Sequence, residues 1–430
     1  MKKLLSEPAG QRWSVIVVVL LGLLARMHEA RTFNRIWPDS AASLRGDEPG
    51  YNNTALELLA GFGFTWPGRV PLYPIWLAGV HWMTGTSYHG ARYVQSFLGA
   101  ATVLLTYLLG RRVFGHTAGL LAALFAAASL VLIHQSSHLL SEVLFTPTVL
   151  LTVLVLWRAF ETGALWRFAL AGALVGVTAL IRPTLLFFPV FLVVIFVFVD
   201  RSREMLRRGL VLTGATLVVI SPWLIRNRLH YDAWFPLATT NAILWQGSPE
   251  YYRLIHDYGY TYDRIWSEVI YGPNWREHDP TSIEGDRYWT ARALRSIRDD
   301  PLTYLRFSAE KLVTFWTGDP NADWNNERVF SYPALRRVGF THSQAVAVII
   351  ARVLPLLVVF AIAILWKDRR RLFPIYGVLL YCTLLHAATH AEARLSEPLQ
   401  PFLWILLSGA TIRLWNQRAV GRRQPGLSVP

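Results

Sequence analysis

The run TAGLLAALFAAASLVLI, Thr117 to Ile133, carries no charged residue and reads as helix in lipid. Two others match it. PTLLFFPVFLVVIFVFV spans Pro183 to Val199, and LVLTGATLVVISPWLI spans Leu210 to Ile225. A helix needs about 20 apolar residues to cross a hydrocarbon layer of about 30 Å, and these runs approach that length. The whole chain agrees with them. Its 430 residues are 53% hydrophobic and only 16% charged, with a mean hydropathy of +0.32, too apolar for an ordinary soluble domain. The single cysteine, Cys382, lies in another apolar run, so no intrachain disulfide exists.

The net charge of +14 would suit nucleic acid, but its placement argues for membrane orientation instead. The basic clusters are Lys2, Lys3 and Arg12; Arg111 and Arg112; Arg158 and Arg167; Arg201 to Arg208; Lys367 to Arg371; and Arg413 to Arg423. All share one side if spans lie near 13–28, 91–110, 117–134, 139–157, 165–181, 183–199, 209–226, 345–366, 372–389 and 398–414. The expectation is therefore an all-α, polytopic integral membrane bundle of about ten transmembrane helices with both termini in the cytoplasm. Pro71–Gly85 covers only about 22 Å as a helix and is read as a re-entrant or interfacial segment.

On this topology the chain divides into a transmembrane catalytic module, 1–226, with an external loop at 29–90; an extracytoplasmic, mostly helical loop domain, 227–344; and C-terminal spans with a basic tail, 345–430. The loop domain has nearly balanced charge and many aromatics, Trp245 among them. Such rings stack on sugars, or form a small core with an interfacial belt. Asp300–Trp316 has helical apolar spacing broken by Arg306, Glu310 and Lys311, which predicts a helix lying on the membrane.

Ionisable residues beside the outer surface are the candidates for chemistry. Asp47 and Glu48 stand before Pro49 in LRGDEPGYNNTALELLAGFGF, at the start of an amphipathic helix. There the helix dipole favours carboxylates, and a plain capping role competes with a functional one. Glu142, in HQSSHLLSEVLFTP, sits at the outer end of a span, where a carboxylate needs a partner or water. His134 and His138 share its neighbourhood at a spacing of four, but without a metal-binding pattern, and are read as polar lining. Arg69, Arg182, Arg226 and Arg394 gather on the same side, and guanidinium groups suit phosphate.

In this order the motifs resemble the GT-C superfamily of polyprenyl-phosphate-sugar glycosyltransferases, particularly bacterial relatives of the protein O-mannosyltransferases (family 39) and the lipid A aminoarabinose transferase. The likeness runs through GDEPGY, RVPLYP, LSEVLF, ALIRPT, SPWLIRN, TTNAILWQGSPE, the Asp300 helix and EARLSEPLQPFL. It implies an inverting transfer, with Asp47 as general base and Glu48 and Glu142 as further catalytic acids. It also implies substrate contacts from Tyr51, Arg69, Arg182, Arg226, Asn241, Trp245 and Arg394. Relatives often read Arg-Tyr-Arg where this chain has ARLSEP. The implied partners are a polyprenyl-phosphate sugar donor, a lipid, glycan or protein acceptor, and the membrane, with no nucleic acid. No cofactor is expected, and the reading requires no divalent metal. The implied place is the bacterial cytoplasmic membrane, with the active site facing outward. The competing class is a transporter or flippase of lipid-linked sugars, whose acids and arginines would line a path near the midplane.

Overall fold

The computed structural model describes residues 9–199, 202–235, 237–240, 242–273, 275–317 and 341–422, which form helices and connecting loops without a strand among them. From the N-terminus these are α1 (Ala9–Ile36), α2 (Glu48–Leu59), α3 (Leu72–Thr84), α4 (Tyr88–Phe114), α5 (His116–Ala128), α6 (Leu130–Gln135), α7 (Glu142–Thr162), α8 (Leu165–Ile181), α9 (Phe188–Val199) and α10 (Arg203–Tyr231). The loop domain contributes α11 (Ile243–Gln246), α12 (Pro249–His256), α13 (Ile283–Asp299) and α14 (Pro301–Thr317). The bundle closes with α15 (His342–Leu365), α16 (Phe373–Ala388) and α17 (Gln400–Arg422).

Five described helices are long and apolar enough to cross a bilayer: Ala9–Ile36, Tyr88–Phe114, Glu142–Thr162, Arg203–Tyr231 and Val348–Asp368. Four apolar helices are shorter, namely His116–Ala128, Leu165–Ile181, Pro183–Phe198 and Phe373–Ala388. The chain is an integral membrane protein. The expected span at 117–134 differs in detail. The run 117–134 is broken at Ser129, whose backbone is extended (φ −64°, ψ 109°) and whose hydroxyl caps α6. Local hydroxyl-to-backbone bonding competes with helix here and wins. The Pro71–Gly85 segment forms α3, 13 residues and about 20 Å long.

Without a hydrophobic drive between helices in lipid, close packing depends on small residues. Gly172 and Gly176 on α8 show this against α10. A Cβ at Gly172 would stand 2.1 Å from the Leu212 carbonyl oxygen, and the Thr216 hydroxyl donates to the Gly172 carbonyl at 2.8 Å. A second close approach joins α4 to α5, where a Cβ at Gly110 would meet Gly119 Cα at 3.0 Å.

Arg112, Arg371 and Arg413, from three of the basic clusters, gather at one end of the bundle. Arg112 pairs with Glu161, Arg371 reaches the Arg112 carbonyl at 3.5 Å, and Arg413 pairs with Asp368. Helix α7 runs from Glu142 to this end, 21 residues or about 31 Å. Glu142 and its partners therefore occupy the opposite end. There the loop domain has its own core of Trp245, Tyr251, Ile265, Ile270, Trp289 and Ala293. Helix α14 fastens it to the bundle. Its Tyr304 hydroxyl donates to the Ala388 carbonyl at 2.8 Å, its Trp316 indole N–H to Thr383 at 3.2 Å, and its Phe315 ring stacks on His386.

Candidate active site

The turn that carries Asp47 is made by Gly46 (φ 51°), a left-handed position favourable to glycine. Asp47 then takes the N-cap position of α2, yet its side chain makes no capping hydrogen bond. It points instead at two arginines. Oδ1 accepts from Arg69 Nη2 at 3.1 Å, and Oδ2 accepts from Arg394 Nη2 at 3.0 Å. The carboxylate keeps 40% of its surface. Burial alone would raise its pKa, but Arg69, Arg394 and Arg182 outweigh that and hold it below the usual aspartate range.

Glu142 lies behind this pair, 2% exposed, and forms an ion pair with Arg182 at 2.6 Å. Arg394 Nε stands 3.8 Å from the same carboxylate and 3.9 Å from Glu392. The Glu392 carboxyl opposes its own burial through His390, 2.8 Å away, and through Arg394, and is held at about 2. Burial pushes neighbouring Glu397 up to about 8, and Glu142 adds to that push. At neutral pH the group thus sets Asp47, Glu142 and Glu392 against Arg69, Arg182 and Arg394. Charges balance, and two guanidinium Nε atoms, of Arg69 and Arg394, are buried without a hydrogen-bond partner. Such orphan donors are costly.

Aromatic packing sets the geometry of Arg69. Its guanidinium carbon sits 4.6 Å from the Tyr51 ring centre and 4.9 Å from that of Trp66. Tyr51 in turn packs edge-on against Tyr73 and bonds Ser141 at 3.0 Å, next to Glu142. The loop before α2, the loop before α3, the start of α7, the end of α8 and the turn after α16 therefore converge on one spot.

Other residues singled out by sequence sit elsewhere. Glu48 is fully buried and faces away from the arginines, accepting from Arg45 N at 2.7 Å, Leu139 N at 2.7 Å and His138 Nδ1 at 3.0 Å. Arg226 packs on Phe64, Trp223 and Tyr231 and donates to the Phe64 carbonyl, so it clasps the external loop. Trp245 is fully buried in the loop-domain core, its N–H bonded to Glu250 at 2.9 Å. Asn241 lies outside the described residues. Among the described residues no group of three or more His, Cys, Asp or Glu side chains is arranged to hold a metal ion. Sequence reading passed over Glu392, whose signal was its position two residues before Arg394, and Glu29, which pairs with His134 at 2.9 Å.

A family model for dolichyl-phosphate-mannose-protein mannosyltransferase matches residues 68–225. The oligosaccharyltransferase of Archaeoglobus fulgidus in its apo form is 14% identical, with a TM-score of 0.56, covering 97% of this chain and 53% of that one. The same archaeon's oligosaccharyltransferase AglB, in complex with an inhibitory peptide and a dolichol-phosphate, is 12% identical with a TM-score of 0.55, covering 98% and 52%. ArnT from Cupriavidus metallidurans bound to undecaprenyl phosphate is 15% identical with a TM-score of 0.44, covering 97% and 81%. No curated protein matches by sequence. The chain spans about half the length of the archaeal oligosaccharyltransferases it matches. Its fold is that of the archaeal oligosaccharyltransferases.

Proposed function

We propose that this chain is a membrane glycosyltransferase that moves a hexose or pentose from a polyprenyl-phosphate donor to an acceptor hydroxyl or similar group, with inversion at the anomeric carbon. The observation that carries this reading is one half-exposed carboxylate, Asp47, held between two arginines that each retain a buried, unbonded N–H. Guanidinium groups bind phosphate through paired hydrogen bonds, so the donor's phosphate competes with Asp47 for Arg69 and Arg394. Donor binding then has a chemical consequence. A carboxylate pinned by two arginines is a weak base, and one released from them is a stronger base.

The acceptor hydroxyl attacks the anomeric carbon as Asp47 takes its proton, and the bond from that carbon to the phosphate oxygen breaks. Charge that develops on the leaving phosphate falls on arginines already in place, which lowers the barrier without reorganisation. Glu142, through Arg182 and Arg394, sets the direction of those side chains. The family model's description and the dolichol-phosphate in the AglB complex support a lipid-phosphate donor. So does an apolar groove of about 1190 Å³, lined by Phe196, Leu312, Trp316, Leu356, Val359 and Phe373 and reaching Arg369 and Arg370 at the basic end, which suits a polyprenyl chain. The basic end of the bundle faces the cytoplasm by the positive-inside rule, so the site faces outward from the bacterial inner membrane.

The test is a panel of polyprenyl-phosphate hexoses and pentoses offered to purified protein in nanodiscs. Release of sugar-free polyprenyl phosphate with transfer to an acceptor supports the reading. Movement of intact donor across a vesicle bilayer, without cleavage, would establish transport instead.

A further inference from the structure

A continuous hydrogen-bonded chain of four ionisable side chains lies on the far side of the Asp47 loop, apart from the arginine site. Glu29 on α1 contacts His134 Nδ1 at 2.9 Å, His134 Nε2 contacts His138 Nε2 at 3.1 Å, and His138 Nδ1 contacts Glu48 at 3.0 Å. The two imidazoles meet edge to face, with ring centres 4.7 Å apart. Three contacts need three bridging protons. Two neutral imidazoles carry only two, so the intact chain needs one extra proton, held on the pair or on an end carboxyl.

Glu48 links this chain to the reaction. Its carboxylate closes the Gly46 turn through Arg45 N and ties that turn to Leu139 N, three residues before Glu142. Arg92 on α4 braces the same two loops, donating to the Ser43 hydroxyl at 3.0 Å and the Ser137 carbonyl at 2.9 Å. The charged and titratable neighbours of the pair are Glu29 and His28 on α1, Arg92 on α4 and Glu48 on the loop. Phe33 covers His138 edge-on at 5.4 Å.

We infer that His138 is a positioning residue, which holds the Asp47 loop in register through Glu48, with His134 and Glu29 fixing the orientation of its ring. The inference rests on the proposed role of Asp47.

Amide hydrogen exchange over residues 43–48 and 138–140 reads the loop directly and does not require turnover. It is measured on the full-length protein in nanodiscs. His138→Asn keeps a donor to Glu48 and should stay as protected as wild type. His138→Ala should lose about tenfold protection, with kcat about tenfold lower and binding of sugar-free polyprenyl phosphate within about threefold of wild type. Full protection in His138→Ala, or an equal loss in His138→Asn, overturns the inference. A wild type that transfers no sugar, with His138→Ala unprotected, sinks the proposed function and leaves the positioning role standing.

Discussion

Asp47→Asn should bind sugar-free polyprenyl phosphate more tightly than wild type does, although it should transfer nothing. Both carboxylate oxygens occupy arginine donors, at 3.1 and 3.0 Å. A phosphate shared by those arginines would stand roughly 6 Å from the displaced carboxylate, where two negative charges repel by about 3 kcal/mol at an effective dielectric of about 20. Asp47 keeps 40% of its surface, so screening takes about half of that. The asparagine amide relieves the remaining 1.5 kcal/mol or so, which corresponds to about tenfold in affinity. It also competes less for the guanidinium groups. Scintillation-proximity binding with labelled lipid, at low and high salt, measures the change, and the gain should shrink as salt rises. Weaker binding by Asp47→Asn would show that the carboxylate organises the arginines rather than competing with phosphate, and would refute the displacement step.

Removing Arg394 deletes one charged hydrogen bond, worth about 1.5–3 kcal/mol, so Arg394→Ala should bind the lipid phosphate about ten- to a hundredfold more weakly. Arg394→Lys should fall between, since it keeps the charge and loses the planar fork; equal affinity in all three proteins would place the phosphate elsewhere. Lys311 is 2% exposed, and its ammonium donates to the Gly247 and Thr389 carbonyls at 3.1 and 2.7 Å, with burial lowering its pKa to about 7. A lysine depressed in the fold sheds its proton between about pH 7 and 10 while the unfolded chain keeps it, so its contribution to stability rises with pH there, by at most about 1.4 kcal/mol per unit. Thermal unfolding of wild type and Lys311→Met at pH 7 and 9 should show that gain in wild type alone. A cysteine placed at Asp263 should be modified by an impermeant reagent from outside the cell, because the loop domain lies at the end opposite the basic clusters; modification only from inside would invert the topology.

The apolar runs made the bundle legible because lipid demands long apolar helices whatever their neighbours. Ser129 was hidden because one serine in a seventeen-residue apolar run barely lowers a hydropathy average, yet it is enough to break the helix. Asp47, Glu142, Arg69, Arg182 and Arg394 were visible as charges beside apolar segments, which need partners, and the structure pairs them with one another. Direction was not visible. Asp47 and Glu48 are adjacent in sequence, but the helix start turns one toward the arginines and the other into the protein. Arg226 and Trp245 resemble binding residues by type, and only packing shows them clasping a loop and filling a core. Glu29 meets His134 across 105 positions, a contact no local pattern encodes.

The central claim is that Asp47 takes the acceptor's proton once phosphate has displaced it from Arg69 and Arg394. Single-turnover transfer from a preloaded polyprenyl-phosphate sugar isolates that step from binding. Folded Asp47→Asn should transfer at least a hundredfold more slowly than wild type at equal donor occupancy. Transfer by that variant at a rate close to wild type would contradict it.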